Sequence, residues 1–248
     1  MAQQVNETGH TKNVAAFYEA LAIIGGWGAD YKPTKLALSA ANLTLLYPKC
    51  EKVVKESGEQ EGIFDNLVDQ RIIVFKKLPT YATRVVNAFS VIDLPDETVA
   101  GAIEINRKIQ GTRATPKGKK PPTEGETGKG GNISVSQLSY DKNVEHLNDL
   151  RAWVELQPVY NPNETDLKVA AIKAYCTQLD LANKAVINGE IPYSNKLDER
   201  DALMYAPKTG MVDLILEVKK YAKGAFGATS AKYKQISGLK LRKLPRKK

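Results

Sequence analysis

The sequence predicts an all-α protein made of two tandem, duplicated up-and-down four-helix bundles joined by a disordered linker. The first observation is an internal repeat, because four short segments recur in the same order and at a nearly constant offset along the chain. Ordered matches at a nearly constant offset indicate a duplication. The matched segments are Lys12–Val14 with Lys142–Val144, Tyr31–Pro33 with Tyr160–Pro162, Asp69–Arg71 with Asp198–Arg200, and Arg107–Gly111 with Lys234–Gly238.

The second observation is the spacing of apolar residues, which follows a helix and not a strand. The period-2 alternation and Asn-Gly turns that mark strands and hairpins are largely missing. Short connections between amphipathic helices favour antiparallel neighbours, as in an up-and-down bundle. The clearest helical face consists of Phe64, Leu67, Val68, Ile72, Phe75 and Leu78.

Each copy is predicted to hold four helices. In the first copy the predicted ranges are 12–25, 34–57, 60–90 and 96–110, and in the second they are 141–156, 163–188, 193–222 and 229–237. Pro79 and Pro207 predict a kink or break at nearly equivalent points, and Pro48 predicts an interruption in the second helix. Proline acts in this way because it lacks a backbone donor and clashes with the preceding turn.

These elements divide the chain into four regions. The linker is rich in Gly, Pro and Lys and has almost no apolar side chains, so we expect it to be disordered. The tail is basic and lacks a core pattern, and we expect it to be poorly ordered as well. The predicted regions are a first bundle over 1–111, a basic linker over 112–137, a second bundle over 138–238 and a basic tail over 239–248.

Composition restricts the class of protein. An apolar fraction of 42% suffices for two modest cores, and no run of 18 apolar residues predicts a membrane span. The polar start lacks the basic and apolar regions of a secretory signal. Two cysteines, Cys50 and Cys176, indicate no disulfide framework. We therefore expect a cytoplasmic protein.

Positive charge is concentrated outside the predicted bundles. The net charge is +8, yet residues 219–248 alone hold 11 basic side chains and no acidic one. The basic linker and tail are suited to contact phosphates without reading the bases, so nucleic acid (DNA or ribosomal RNA) is the predicted partner. A solubilising tail, an acidic protein and a membrane surface are the alternatives. The predicted contacts are Arg113, Lys117, Lys119 and Lys120 in the linker, and Lys240, Arg242, Lys243, Arg246, Lys247 and Lys248 in the tail.

Arg71 and Arg200 occupy matching places on the apolar stripe of the third helix in each copy. A buried guanidinium cannot lose its proton, so it needs a carboxylate or carbonyl partner. An anion site between helices is one interpretation. Because both copies have the residue, we expect a buried structural role, with an acid from a neighbouring helix or a main-chain carbonyl as the partner.

No catalytic residues, metal ligands or cofactor site can be assigned from the sequence. The two histidines, His10 and His146, have no second ligand three or four residues away. We expect His10 on a mobile terminus and His146 on a helix surface. The chain is therefore predicted to be a non-enzymatic binding or scaffold protein. A structural protein that assembles with copies of itself is the alternative, and no small-molecule substrate is evident.

The segments Ala2–Val14 and Ile105–Gly111 resemble a bacterial family of duplicated, all-helical hypothetical proteins. That family has no assigned activity, cofactor or catalytic residue. The resemblance implies a bacterial cytoplasmic protein with the same doubled layout, and it adds nothing to the predicted function.

Overall fold

The computed structural model describes residues 9–111 and 138–244, and within them the chain is helical and contains no strand. The prediction of an all-α protein is therefore confirmed. The helices are α1 His10–Trp27, α2 Ala40–Lys76, α3 Leu78–Ser90, α4 Asp96–Ile109, α5 Tyr140–Glu155, α6 Val169–Tyr205, α7 Met211–Phe226 and α8 Ala231–Ser237.

Two of the three predicted proline effects are confirmed. Helix α2 ends at Lys76, just before Pro79 in the first turn of α3. Helix α6 ends at Tyr205, and Pro207 lies in the turn that follows. Proline fits the first turn of a helix because the backbone donor that it lacks would have no partner there. Pro48 was wrongly predicted to interrupt its helix, since it lies inside α2.

The largest correction concerns α2 and α6, which each run for 37 residues without a break. The prediction divided them near 58–59 and 189–192. Glycine inside a helix costs about 1 kcal/mol and proline about 3 kcal/mol, so Gly58, Gly62 and Pro192 weaken these stretches. Packing offsets that cost: the rings of Phe64 and Tyr193 stack with centroids 5.4 Å apart and planes 17° apart.

The unbroken helices change how the chain divides. Residues 1–64 and 190–248 form one compact unit, unit 1, and residues 65–189 form the other, unit 2. Each unit thus combines the first half of one predicted copy with the second half of the other. The predicted contiguous bundles over 1–111 and 138–238 do not match these units. The reason is that α2 and α6 each contribute residues to both units.

Unit 1 has an apolar core built from α1, α7, α8 and parts of α2 and α6. The largest of its fully buried side chains are Phe17, Leu43, Met204, Met211, Ile215 and Ile236. Edge-to-face aromatic contacts extend this core, with Tyr31 and Tyr221 at 5.3 Å and Trp27 and Phe226 at 5.2 Å. Such pairs add stability beyond the area that they bury.

Unit 2 is built in the same way from α3, α4, α5 and the remaining parts of α2 and α6. The largest of its fully buried side chains are Leu78, Phe89, Leu147, Leu150, Ile172 and Leu179. Trp153 packs on Gly101, where an added Cβ would lie 2.3 Å from the indole ring. The indole N–H donates to the carbonyl of Thr98 at 2.9 Å. Glycine is therefore required at position 101 for this close approach.

The two units share a turn before their long helices. The Tyr31 hydroxyl donates to the Leu38 carbonyl at 2.6 Å, and the Tyr160 hydroxyl donates to the Leu167 carbonyl at 2.8 Å. Each of these carbonyls ends a short 3-10 turn. The predicted duplication itself stays a prediction, although one and the same offset relates both the tyrosines and the leucines of these pairs.

Candidate nucleic-acid interface

The C-terminal segment 239–244 is docked on unit 1 and is not the free tail that the sequence predicted. Leu239 and Leu241 are each only 9% exposed and belong to the core of unit 1. The basic side chains between and after them, Lys240, Arg242 and Lys243, are exposed. Alternation of this kind is typical of an extended segment with one buried face. The leucines supply apolar contacts that were not expected of this region.

Asn13 holds the segment through a two-way contact with its main chain. The Asn13 side-chain amide donates to the Arg242 carbonyl at 2.8 Å, and the Arg242 N–H donates to the Asn13 Oδ1 at 3.1 Å. Asn13 is only 4% exposed, so these bonds are shielded from water. The repeat drew attention to residues 12–14, but nothing local could link Asn13 to a residue 229 positions away.

Lysines on either side reinforce the contact. The Lys219 ammonium donates to the carbonyls of Ser237 and Leu239. The Lys243 ammonium lies 2.8 Å from the Asp213 carboxylate. Lys243 and the Lys208 N–H lower the pKa of Asp213, whereas burial lowers the pKa of Lys219. The segment is therefore held by α1 and α7 together.

Several exposed basic side chains lie between positions 219 and 244. Lys232 pairs with Asp30 and Lys243 with Asp213. Five other basic side chains between positions 219 and 244 are exposed and form no ion pair with a described residue: Lys220, Lys223, Lys234, Lys240 and Arg242. The hydrogen bond from Lys219 to the Leu239 carbonyl holds this residue beside the turns of α7 that carry Lys220 and Lys223.

The remaining predicted contacts lie outside the described residues. They are Arg113, Lys117, Lys119 and Lys120 of the linker and Arg246, Lys247 and Lys248 at the C-terminus. Phosphate contacts at these positions therefore stay a prediction.

The two stripe arginines lie in different units and differ in their contacts. Arg200, in unit 1, is 8% exposed, and its Nε and Nη2 donate to the Asp201 carboxylate at 3.0 and 2.8 Å. Arg71, in unit 2, is half-buried and donates to the Asn183 side-chain carbonyl at 3.1 Å. Its guanidinium also lies 3.9 Å from the centre of the Tyr140 ring. The acid that pairs with Arg200 is its neighbour on α6 and not, as expected, a residue of another helix. The expected carboxylate or main-chain partner of Arg71 is replaced by a neutral amide and an aromatic ring.

Both predictions for the histidines are wrong. His10 begins α1, and its Nδ1 lies 2.6 Å from the Tyr205 hydroxyl. His146 is buried in unit 2, with 6% of its surface exposed. The environment of each histidine depends on tertiary packing, and the spacing of residues along the sequence did not predict it.

Within 9–111 and 138–244, no group of three or more His, Cys, Asp or Glu side chains could hold a metal ion. Among the same residues, no helix combines the length and apolar content needed to cross a membrane. Comparisons with known protein families, with curated proteins and with solved structures found no match.

Proposed function

We propose that this chain is a non-enzymatic binding protein that contacts nucleic acid, either DNA or ribosomal RNA, without reading its bases. The observation that carries the proposal is the docked segment 239–244, which buries Leu239 and Leu241 and leaves its basic side chains exposed. Lysine and arginine bind phosphates and release counterions from the nucleic acid. The absence of aromatic residues in 239–248 argues against base stacking.

Docking strengthens the proposal because it fixes the backbone of the basic segment in advance. A segment that is ordered before binding avoids part of the entropy cost of association. The contacts of Asn13 and Lys219 therefore contribute to affinity without touching the ligand. The exposed lysines Lys220 and Lys223 on α7 add to the positive charge of unit 1.

The test is a binding titration of the full chain on duplex DNA and on RNA at several salt concentrations. Replacing Lys240, Arg242 and Lys243 with Ser should flatten the plot of log affinity against log salt by about 0.9 for each lost contact to duplex DNA. Replacing exposed Lys49, Lys52 and Lys55 with Ser makes the same charge change elsewhere in unit 1.

The control variant with Lys49, Lys52 and Lys55 replaced should leave the slope of log affinity against log salt nearly unchanged. Affinity that is absent at low salt, or that falls equally in both variants, would contradict a specific basic surface. A second variant, Asn13→Ala, keeps every charge and should weaken binding by releasing the segment. Six Ser substitutions that add Arg246, Lys247 and Lys248 test the rest of the predicted tail.

We also propose that the chain is a duplication in which the two copies exchange their second halves. Support comes from the long helices α2 and α6, which have equal lengths. Their first residues, Ala40 and Val169, are related by the same offset as the matched tyrosine bonds. Superposing unit 1 on unit 2 in an experimental structure should align α1 with α5 and α7 with α3. A different helix order in the two units would contradict the duplication.

Self-assembly is the second candidate function, and it is favoured by apolar side chains around a groove in unit 2. This groove has a volume of about 520 Å³. Two of its lining residues, Val91 and Val159, are 84% and 59% exposed. Replacing both with Ser should lower the particle size at high protein concentration if copies associate through this groove. A size that is independent of concentration in the unaltered protein would exclude this candidate.

A further inference from the structure

Two ion pairs of opposite polarity join corresponding elements in the two units. Loop 1 (28–39) precedes α2, and its Lys35 lies 2.5 Å from Glu217 on α7. Loop 2 (156–168) precedes α6, and its Asp166 lies 2.6 Å from Arg84 on α3. The loop provides the cation in unit 1 and the anion in unit 2.

The helix partners occupy equivalent positions. Helices α3 and α7 begin at Leu78 and Met211, and both of these residues are buried. Aligning the two helices at their first residues also aligns their buried faces, since it matches the buried residues Ala82 with Ile215 and Val85 with Val218. The same alignment matches Arg84 with Glu217, and the offset of 129 that relates the tyrosines matches it with Asp213, an acid one turn away on the same face of α7.

The loop partners also lie in equivalent parts of their loops, but they carry opposite charges. The alignment that matches Tyr31 with Tyr160 places Lys35 opposite Glu164. Asp166 follows shortly after Glu164 in the same loop. Both acids act on Arg84, since together they contribute to the raised pKa of its guanidinium, with the larger effect from Asp166. Loop 2 is therefore acidic where loop 1 is basic.

Pairing within one copy would reverse the sign of both contacts. Loop 1 and α3 belong to the first copy, and loop 2 and α7 belong to the second. Such pairing would bring Lys35 to Arg84, and Glu164 and Asp166 to Glu217. It would also require α2 and α6 to fold back, and both contain residues that weaken a helix near the division between units, namely Gly58 and Gly62 in α2 and Gly189 and Pro192 in α6.

We propose that the polarity of the Lys35–Glu217 and Arg84–Asp166 pairs determines which halves of the chain associate, favouring pairing across copies over pairing within a copy. The proposal rests on the proposed duplication, because only duplicated halves present interchangeable apolar faces. The buried faces match in position, so both arrangements bury apolar side chains. Charges at the rim add a discrimination that depends on their polarity, as charged positions flanking the apolar seam do in coiled coils.

The expected size of the effect is modest. The four side chains are between 32% and 54% exposed, so each pair is partly screened by water. Exposed pairs are individually weak. When pairing changes from across copies to within a copy, two attractive ion pairs become two repulsive contacts. The ratio of the two arrangements should therefore change on the order of tenfold when both contacts are reversed together.

The test reverses the helix charges and then restores complementarity. The variant Arg84→Glu with Glu217→Arg has the same composition and net charge as the original chain. It makes both contacts across copies repulsive and both contacts within a copy attractive. Adding Lys35→Glu and Asp166→Arg restores attraction across copies and serves as the matched control.

The reporter is a cross-link between α1 of the first copy and α8 of the second. Gly26 and Gln235 line one groove of unit 1, and both positions are exposed. An added Cβ at Gly26 meets no atom within 4 Å. Cysteines placed at both positions should react with a short bismaleimide. Cys50 and Cys176 should stay silent, since burial raises the pKa of each thiol to about 11.

In the helix-reversed variant the ratio of cross-linked to uncross-linked chain should fall on the order of tenfold relative to the original, and the fourfold variant should recover it. Helical content and thermal melting measured on the same samples show whether each variant is folded. An undiminished cross-link in the helix-reversed variant would overturn the proposal. Loss of the cross-link without recovery in the fourfold variant would also overturn it, because it would show general damage. Neither readout involves nucleic acid, so failure here is distinct from failure of the binding proposal.

Discussion

Unit 1 and unit 2 share their sequence of helices but differ in charge. Among the described residues, unit 1 holds 17 basic and 12 acidic side chains, whereas unit 2 holds 11 basic and 13 acidic ones. The shared features, such as the Tyr31 and Tyr160 hydroxyl bonds, serve the fold in both units. The features found in unit 1 alone are therefore the better guide to function.

The matching asparagines show the same contrast. Asn13 in unit 1 binds the main chain of Arg242 in both directions. Asn143 in unit 2 donates to the Leu138 carbonyl at 3.3 Å, just before its own helix. One residue type at one place in the fold thus anchors the basic C-terminal segment in unit 1 and a local turn in unit 2.

Each unit contains one buried cysteine, which allows the two units to be followed separately. Cys50 lies in unit 1 and is 0% exposed, and Cys176 lies in unit 2 and is 4% exposed. Thiol labelling under native conditions requires local opening, because burial both shields these thiols and raises their pKa to about 11. The labelling rates therefore report the stability of each unit.

The largest expected effect distinguishes the two stripe arginines. Arg200→Met should destabilise unit 1 by about 2–3 kcal/mol, because the partly buried Asp201 loses its partner. Arg71→Met should cost about 1 kcal/mol, because only a neutral bond and a ring contact are lost. Urea unfolding measures both values. Equal losses would contradict the difference between a charged and a neutral partner.

Thiol labelling localises these two effects. Arg200→Met should accelerate labelling of Cys50, and Arg71→Met should act on Cys176. Equal acceleration of both thiols by either variant would show that the two units unfold together.

The next effect concerns Gly101 of unit 2, which allows the close approach of Trp153. Gly101→Ala should destabilise the protein by about 2 kcal/mol, because the new Cβ forces Trp153 to move. The matched change Gly26→Ala in α1 meets no neighbour and should stabilise by about 0.5–1 kcal/mol, since alanine favours the helix. Thermal melting should therefore shift in opposite directions, and a shared direction would refute the packing argument.

A smaller effect distinguishes the two asparagines. Asn13→Ala should cost about 1–2 kcal/mol and should expose the segment 239–244 to limited proteolysis, because two hydrogen bonds to its main chain disappear. Asn143→Ala removes one longer bond and should cost less than about 1 kcal/mol. Retention of an intact C-terminus in Asn13→Ala would show that the leucines alone hold the segment.

The last effect is that of a buried tyrosine hydroxyl, whose loss changes stability little at neutral pH and alters the response to alkali. Burial raises the pKa of Tyr160 to about 12, above the ordinary value near 10 in an unfolded chain. A raised folded-state pKa contributes stability that is fully present below about pH 10 and is lost as the pH rises through about 12. Tyr81 and Tyr175 in unit 2 are also raised to about 12, so all three act in the same direction.

Tyr160→Phe tests this effect. The variant should be less stable near pH 9 by about 1 kcal/mol, because the bond to Leu167 is lost, and it should vary less with pH above about 10. Denaturant midpoints across that range provide the measurement, with Tyr31→Phe as the matched change in unit 1. An unchanged pH dependence in Tyr160→Phe would show that this hydroxyl does not couple to folding.

The amino-acid sequence was sufficient to predict the class of the fold and the positions of four of the eight described helices. Helices α1, α4, α5 and α8 lie within a few residues of their predicted ranges. The breaks near Pro79 and Pro207 were also predictable. All of these follow from short-range rules, namely helical periodicity and the missing donor of proline.

The candidate site was only partly predictable. The sequence located the basic side chains Lys240, Arg242 and Lys243 because charge is read directly from composition. It did not predict that Leu239 and Leu241 would be buried, since two leucines among cations form no recognisable core pattern. Their burial depends on partners in α1 and α7 that are distant along the chain.

Tertiary structure alone decided how the halves combine. The glycines and the proline at 58–62 and 189–192 permit either a turn or a weakened helix, and their local preferences do not distinguish the two. Contacts between distant parts of α2 and α6 distinguish them, including the Phe64–Tyr193 stack and the Lys196–Glu56 pair at 2.7 Å. The sequence determined by itself what each helix is, and packing between segments far apart along the chain determined which helices share a core.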